Sequence, residues 1–130
     1  MKLIKLSAFF FLGGCAYVLM ELLWRGFSHF SMFLAGGLCF LLLGRLQMQM
    51  PPLWLPWRLL LGAVIITSVE LLAGLIFNRN YQVWDYREQF LNFHGQICLK
   101  FFCLWIPMSQ FAMWVYEKMD GLWNGALSKL

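Results

Sequence analysis

The chain has 130 residues, of which 62% are hydrophobic and only 12% charged, with a formal net charge of +4. A single domain of this size has too much surface for its volume to hide so much apolar material from water, so its solvent is in part lipid. The positive excess then reads as a topology signal and an attraction to anionic lipid. No basic patch interleaved with aromatics occurs, and nucleic acid is excluded as a partner.

The first predicted element covers residues 6–24. It follows a basic start and contains LGGC, which looks like a lipoprotein acylation site. The apolar run continues through AYVLMELLW, whereas a signal peptide has a short apolar core and a polar mature start, so an uncleaved first span is expected. Glu21 and Arg25 stand four residues apart and can pair along the helix, with Trp24 as an interfacial anchor. Alternatively, both line a cavity with His29. Residues 25–29 form a tight outer turn. His29, between Ser28 and Ser31, reads first as an interfacial hydrogen-bonder.

The second span, 30–44, is short for a bilayer. It is followed by a connection over 45–58 that contains MQMPPLWLPWR. Three prolines there rule out a continuous helix, and Trp54 and Trp57 fit an interfacial belt. The third span, 59–77, holds Glu70 near its middle. A carboxyl at that depth is costly and must face protein or water. Thr67 and Gly74 share its helix face, which suits either a proton, ion or ligand site or a polar clasp between helices. The fourth span, 97–116, is interrupted by Pro107, and a kink is expected. A tail over 117–130 reads as a short amphipathic helix with Leu122, Trp123, Ala126 and Leu127 on one side. Cys15, Cys39, Cys98 and Cys103 all sit in apolar runs and read as small filler.

Between the third and fourth spans lies NRNYQVWDYREQFLNFHGQICL, the longest polar block of the chain. Its Trp84-Asp85-Tyr86 reads as an interfacial cluster, with Asp85 free to accept from loop amides or to pair with Arg79 or Arg87. His94 has the same interfacial reading as His29. The predicted fold is therefore an all-α membrane protein, one domain of four transmembrane helices with a polar loop before the last. With the N-terminus inside, inner segments hold Lys2, Lys5, Arg45, Arg58, Lys118 and Lys129, against Arg25, Arg79, Arg87 and Lys100 outside. The bias favours both termini in the cytoplasm, with the polar block facing outward. No nucleotide-binding glycine loop, catalytic triad order or HExxH helix is found, so no cofactor, metal or catalytic residue is indicated.

ELLWRGFSHFSMFLAGG, SVELLAG and VWDYREQFLNFHGQICLKF occur in that order and are spread over residues 21–101. Together they resemble the type IV ABC-transporter permease family, the CmpB-like small membrane proteins of bacteria. Two departures stand out: Arg87 where that family has Ser, and Phe90-Leu91-Asn92 where it has Pro-Phe-Asn. The resemblance implies a membrane subunit of a transporter in the bacterial inner membrane, working with a separate cytoplasmic ATPase. The connection over 45–58 and the C-terminal tail are the expected docking segments. Glu21, Arg25, His29, Glu70 and Asp85 become candidates for ligand or ion binding. Trp24, Trp84, Tyr86, Asn92, Gly95 and Gln96 become candidates for structuring the loop. In the expected arrangement Trp84 and Tyr86 sit at the headgroups, Asp85 and Asn92 fix the loop, and Glu21, Arg25 and Glu70 line a vestibule beneath. Three other readings compete. One is a stand-alone proton- or ion-coupled carrier using Glu21 and Glu70, working as a homo-oligomer. Another is an intramembrane enzyme pairing His29 with a carboxylate. The last is a structural or regulatory membrane protein.

Overall fold

A computed structural model describes residues 2–49 and 55–129. It consists of four helices: α1 (Lys2–Arg25), α2 (Phe30–Gln49), α3 (Leu55–Phe77) and α4 (Leu99–Ser128). Helices are the expected solution for chains this apolar, because in hydrocarbon every backbone N–H and C=O must be paired within the segment. α1, α2 and the Pro56–Phe77 part of α3 are each long and apolar enough to cross a membrane. The chain is thus a multi-pass membrane protein. α4 has 30 residues, which at 1.5 Å each is about 45 Å. It falls outside that apolar class because Pro107, Ser109 and Gln110 interrupt its middle and Glu117, Lys118 and Asp120 follow.

The helix bounds correct the sequence-based ones. α2 does not stop at Gly44. It carries its polar end along, since Arg45 Nε bonds Gln49 Oε1 at 3.1 Å and Gln47 Nε2 bonds Glu117 Oε2 of α4 at 2.8 Å. α3 starts earlier than expected, with Pro56 in its first turn, where a missing N–H costs nothing. α4 runs through Pro107, and the tail expected as a separate helix is its continuation. There Trp123 packs inward while Leu122 and Ala126 are exposed. Of the 45–58 connection, the part between α2 and α3, including Trp54, lies outside the described residues. Trp57 is exposed on α3.

The α1–α2 turn is made by Gly26, whose φ of +81° places it in the left-handed region, with its N–H on Leu22 O. This reverses the chain so that α2 returns along α1. α2 is the hub and packs against α1, α3 and α4. The α1–α2 contact is backbone-close because paired glycines face carbonyls reciprocally. A Cβ on Gly14 would lie 2.6 Å from Phe33 O, and one on Gly37 would lie 2.7 Å from Phe10 O. The α3–α4 contact uses Gly62 against Ser109. Ser109 is fully buried and its hydroxyl donates to Ile106 O at 2.8 Å, two residues past the proline. All four cysteines are free thiols, with Cys15 and Cys103 exposed on helix faces and Cys98 buried.

At the end of the bundle near the N-terminus, α1 and α4 are joined by an ion pair between Lys5 and Asp120, where Asp120 is 8% exposed. Phe9 packs edge-on against Tyr116 and Trp123 beside it. At the opposite end the segment 78–98 folds over the helix tips as a cap.

Candidate functional site

The cap is organised by Asn78, the first residue after α3 and completely buried. Its carboxamide oxygen accepts from the backbone N–H of Val83 at 2.8 Å and of Trp84 at 3.2 Å. Its amide donates to Trp84 O at 2.6 Å and to Gln96 Oε1 at 2.9 Å. Gln96 returns the contact, with Nε2 donating to Asn78 O at 3.0 Å, and the Trp84 indole N–H donates to Gln96 O at 2.9 Å. Gly74 admits this knot, since a Cβ there would collide with the Gln96 carboxamide. The result is a closed set of neutral hydrogen bonds in which each buried donor meets an acceptor.

This arrangement turns Trp84 and Tyr86 inward against protein. Trp84 is only 7% exposed, because its backbone is tied to Asn78 and its ring turns into the bundle. Tyr86 stacks on Phe101 and its hydroxyl donates to Glu70 Oε2 at 3.1 Å. Burial, followed by the neighbouring Glu70 carboxyl, pushes the Tyr86 phenol well above its ordinary range, so it keeps the proton it donates. Trp105 of α4 reaches the other oxygen, with Nε1 to Glu70 Oε1 at 3.5 Å.

Glu21 and Arg25 pair at 2.5 Å as their spacing predicts. Arg25 Nη1 also donates to Val83 O at 2.8 Å, which ties the end of α1 to the cap. His29 sits just before α2. Its Nδ1 accepts from the Ser31 backbone N–H at 3.2 Å and lies 2.7 Å from Ser31 Oγ, so the ring caps the first turn of α2. Trp24, expected to help order the loop, projects outward at 83% exposure.

Asp85 lies on the outer surface, away from Glu70. It holds Arg87 through two side-chain hydrogen bonds of 2.8 and 2.9 Å and accepts the Arg87 backbone N–H at 3.0 Å. The Arg87 side chain holds the Asp85 carboxyl down to about 2. Arg87 in turn lies over the Tyr81 ring, 4.1 Å from its centroid. Arg87 therefore makes a surface clasp with Asp85 and Tyr81. Asn92 bonds the carbonyls of Arg87 and Gln89 and accepts the Gly95 N–H at 3.1 Å, closing a tight loop. Gly95 has a φ of +68°, and a Cβ there would lie 2.6 Å from the Arg87 side chain.

Beneath the cap is a cavity of about 270 Å³ between α1, α2, α3 and α4. Its wall is mostly aliphatic and aromatic. Glu70, Tyr17 and the Trp84 and Trp105 rings line its capped end. Among the described residues no cluster of three or more His, Cys, Asp or Glu that could hold a metal is present.

A family model described as Putative ABC-transporter type IV matches residues 7–124. The chain belongs to that family. The matched region of this ABC-transporter family member includes the cap, the cavity and each of the candidate residues. No curated protein matches the chain, and no solved structure does.

The sequence reading missed Asn78, Tyr17 and Trp105. Asn78 carried one signal, an amide side chain placed directly after an apolar helix. Tyr17 and Trp105 carried none beyond aromatic character within a span.

Proposed function

We propose that this chain is the membrane-embedded subunit of an ABC-type transporter in the cell membrane, with all four helices crossing. The observation that carries this reading is the family match over nearly the whole chain, together with an interior cavity that holds a carboxyl. α4 is long enough to cross, and its Ser109 and Asp120 face the bundle rather than lipid. The lysine and arginine bias favours both termini inside, which places the cap outside. Glu70 is the ligand-contacting group in this reading, while Glu21 and Arg25 secure the outer end of α1. Asp85, Asn92, Gly95 and Gln96 shape the cap. Energy comes from a separate ATPase docked on the inner face, where α2 ends, α3 begins and α4 ends.

The test is purification of the tagged chain in mild detergent from its native host. A stoichiometric ATPase in the preparation is the expected result. A homo-oligomer without ATPase would shift the assignment to a proton- or ion-coupled carrier. Impermeant thiol reagents should label cysteines placed at 85 and 92 from outside the cell. Strong labelling from the cytoplasmic side would invert the topology.

A further inference from the structure

Glu70 is unusual among the acidic groups deep in the bundle in what it lacks. Glu21 has Arg25 and Asp120 has Lys5, but no ion pair among the described residues involves Glu70. Its two oxygens take one neutral donor each, from Tyr86 and Trp105, and an indole N–H can only donate. The arrangement suits an acceptor carboxylate whose charge has no ionic partner among the described residues, which is costly at this depth.

The rest of the cavity indicates what would complete it. An inorganic cation needs several oxygen ligands, and the walls offer aliphatic and aromatic groups instead. Trp84, Trp105 and Tyr17 line the cavity near Glu70, and a site with several aromatic rings suits an organic cation. The position of the mouth points the same way. Leu12, Met20 and Phe111 line the cavity and are also 51, 37 and 58% exposed. They lie on α1 and α4, which are clasped near the N-terminus by Lys5–Asp120, while Arg25–Val83 ties the far end of α1 to the cap. Between the two ties the opening faces the side of the bundle, where the bilayer lies.

We propose that the cavity is a lateral binding site for an amphipathic organic cation, an amine or quaternary ammonium with an apolar tail, which enters from the lipid between α1 and α4 and sets its charge against Glu70. The proposal rests on the reading of the chain as a transporter subunit and names the substrate class of that same site. The full chain in nanodiscs, without any ATPase, is titrated with radiolabelled decyltrimethylammonium and with its uncharged tert-butyl carbon analogue, against empty nanodiscs. Saturable binding with a preference for the cation of at least about tenfold is expected, in line with a charge-assisted contact. Glu70→Gln should abolish the preference, and Ala16→Trp, a change at the exposed mouth, should weaken both ligands. Equal affinities in the unaltered chain, a preference that survives Glu70→Gln, or undiminished binding in Ala16→Trp would each overturn the proposal. So would the absence of saturable binding, as when a second copy seals the mouth. None of these outcomes bears on whether an ATPase co-purifies, so the two readings fail separately.

Discussion

The two ends of the bundle are held by opposite means. The core of the cap is held by neutral hydrogen bonds that converge on Asn78, Gln96 and Trp84, all within 18 residues of one another, with the Arg25–Val83 bond added from α1. The other end relies on a Lys5–Asp120 ion pair joining residues 115 apart, beside an aromatic cluster around Phe9. A neutral network has many partners, and each depends on exact placement of the others. An ion pair has one partner and can be replaced by any pair of apolar side chains that fills the same space. The cap is thus specified by geometry, and the opposite end mainly by packing.

The sharpest way to break this contrast is Asn78→Leu. It strands the Val83 and Trp84 amides and the Gln96 carboxamide, at an expected cost of about 3 kcal/mol to the cap. Hydrogen exchange at Val83 and Trp84 should accelerate by about a hundredfold, while exchange in α1 and α2 stays near its original rate. At the other end, Asp120→Leu alone should lower stability by about 2 kcal/mol, since it leaves the half-buried Lys5 ammonium without its carboxylate. Adding Lys5→Met should restore most of that loss in a thermal unfolding series. Failure of the double variant to recover would show that this end is also specified by polar geometry.

The smallest effect belongs to the surface clasp of Asp85. The Arg87 side chain holds its carboxyl at about 2, below the ordinary 3.8. A depressed carboxylate stabilises the cap above its unfolded value, and that contribution is lost as pH falls from about 3.8 through about 2. Asp85→Asn should therefore shift the thermal midpoint slightly at pH 5, and the difference from the unaltered chain should close by pH 2. The difference should also shrink in high salt, because the pair is solvent-exposed.

The same contrast explains what the sequence made legible. Four helices, the polar block before the last and the Glu21–Arg25 pair follow from local spacing, and local spacing is visible in one dimension. The burial of Trp84 does not, because an aromatic beside an acid reads equally well as an interfacial anchor. What decides its position is Asn78, six residues upstream, and Gln96, twelve downstream, through bonds to the backbone that leave no compositional trace. The Lys5–Asp120 pair is illegible for the same reason, since each residue alone looks like a solvated end of a helix. The length of α2 was underestimated because Arg45, Gln47 and Gln49 look like loop, whereas all three find side-chain partners, along the helix or on α4.

The reciprocal glycines of α1 and α2 carry a mechanical consequence. Where a neighbour's carbonyl occupies the space of a missing side chain, neither helix can rotate or slip by a residue without collision. α1 and α2 therefore move as one lever. Any widening of the lateral mouth is then a movement of α4 against that pair, at contacts made by side chains, with Tyr116 lying over Gly44 of α2 and edge-on against Phe9 of α1. Such side chains can change rotamer while backbone cannot, so the compliance of the mouth is set by α4 and not by the α1–α2 pair.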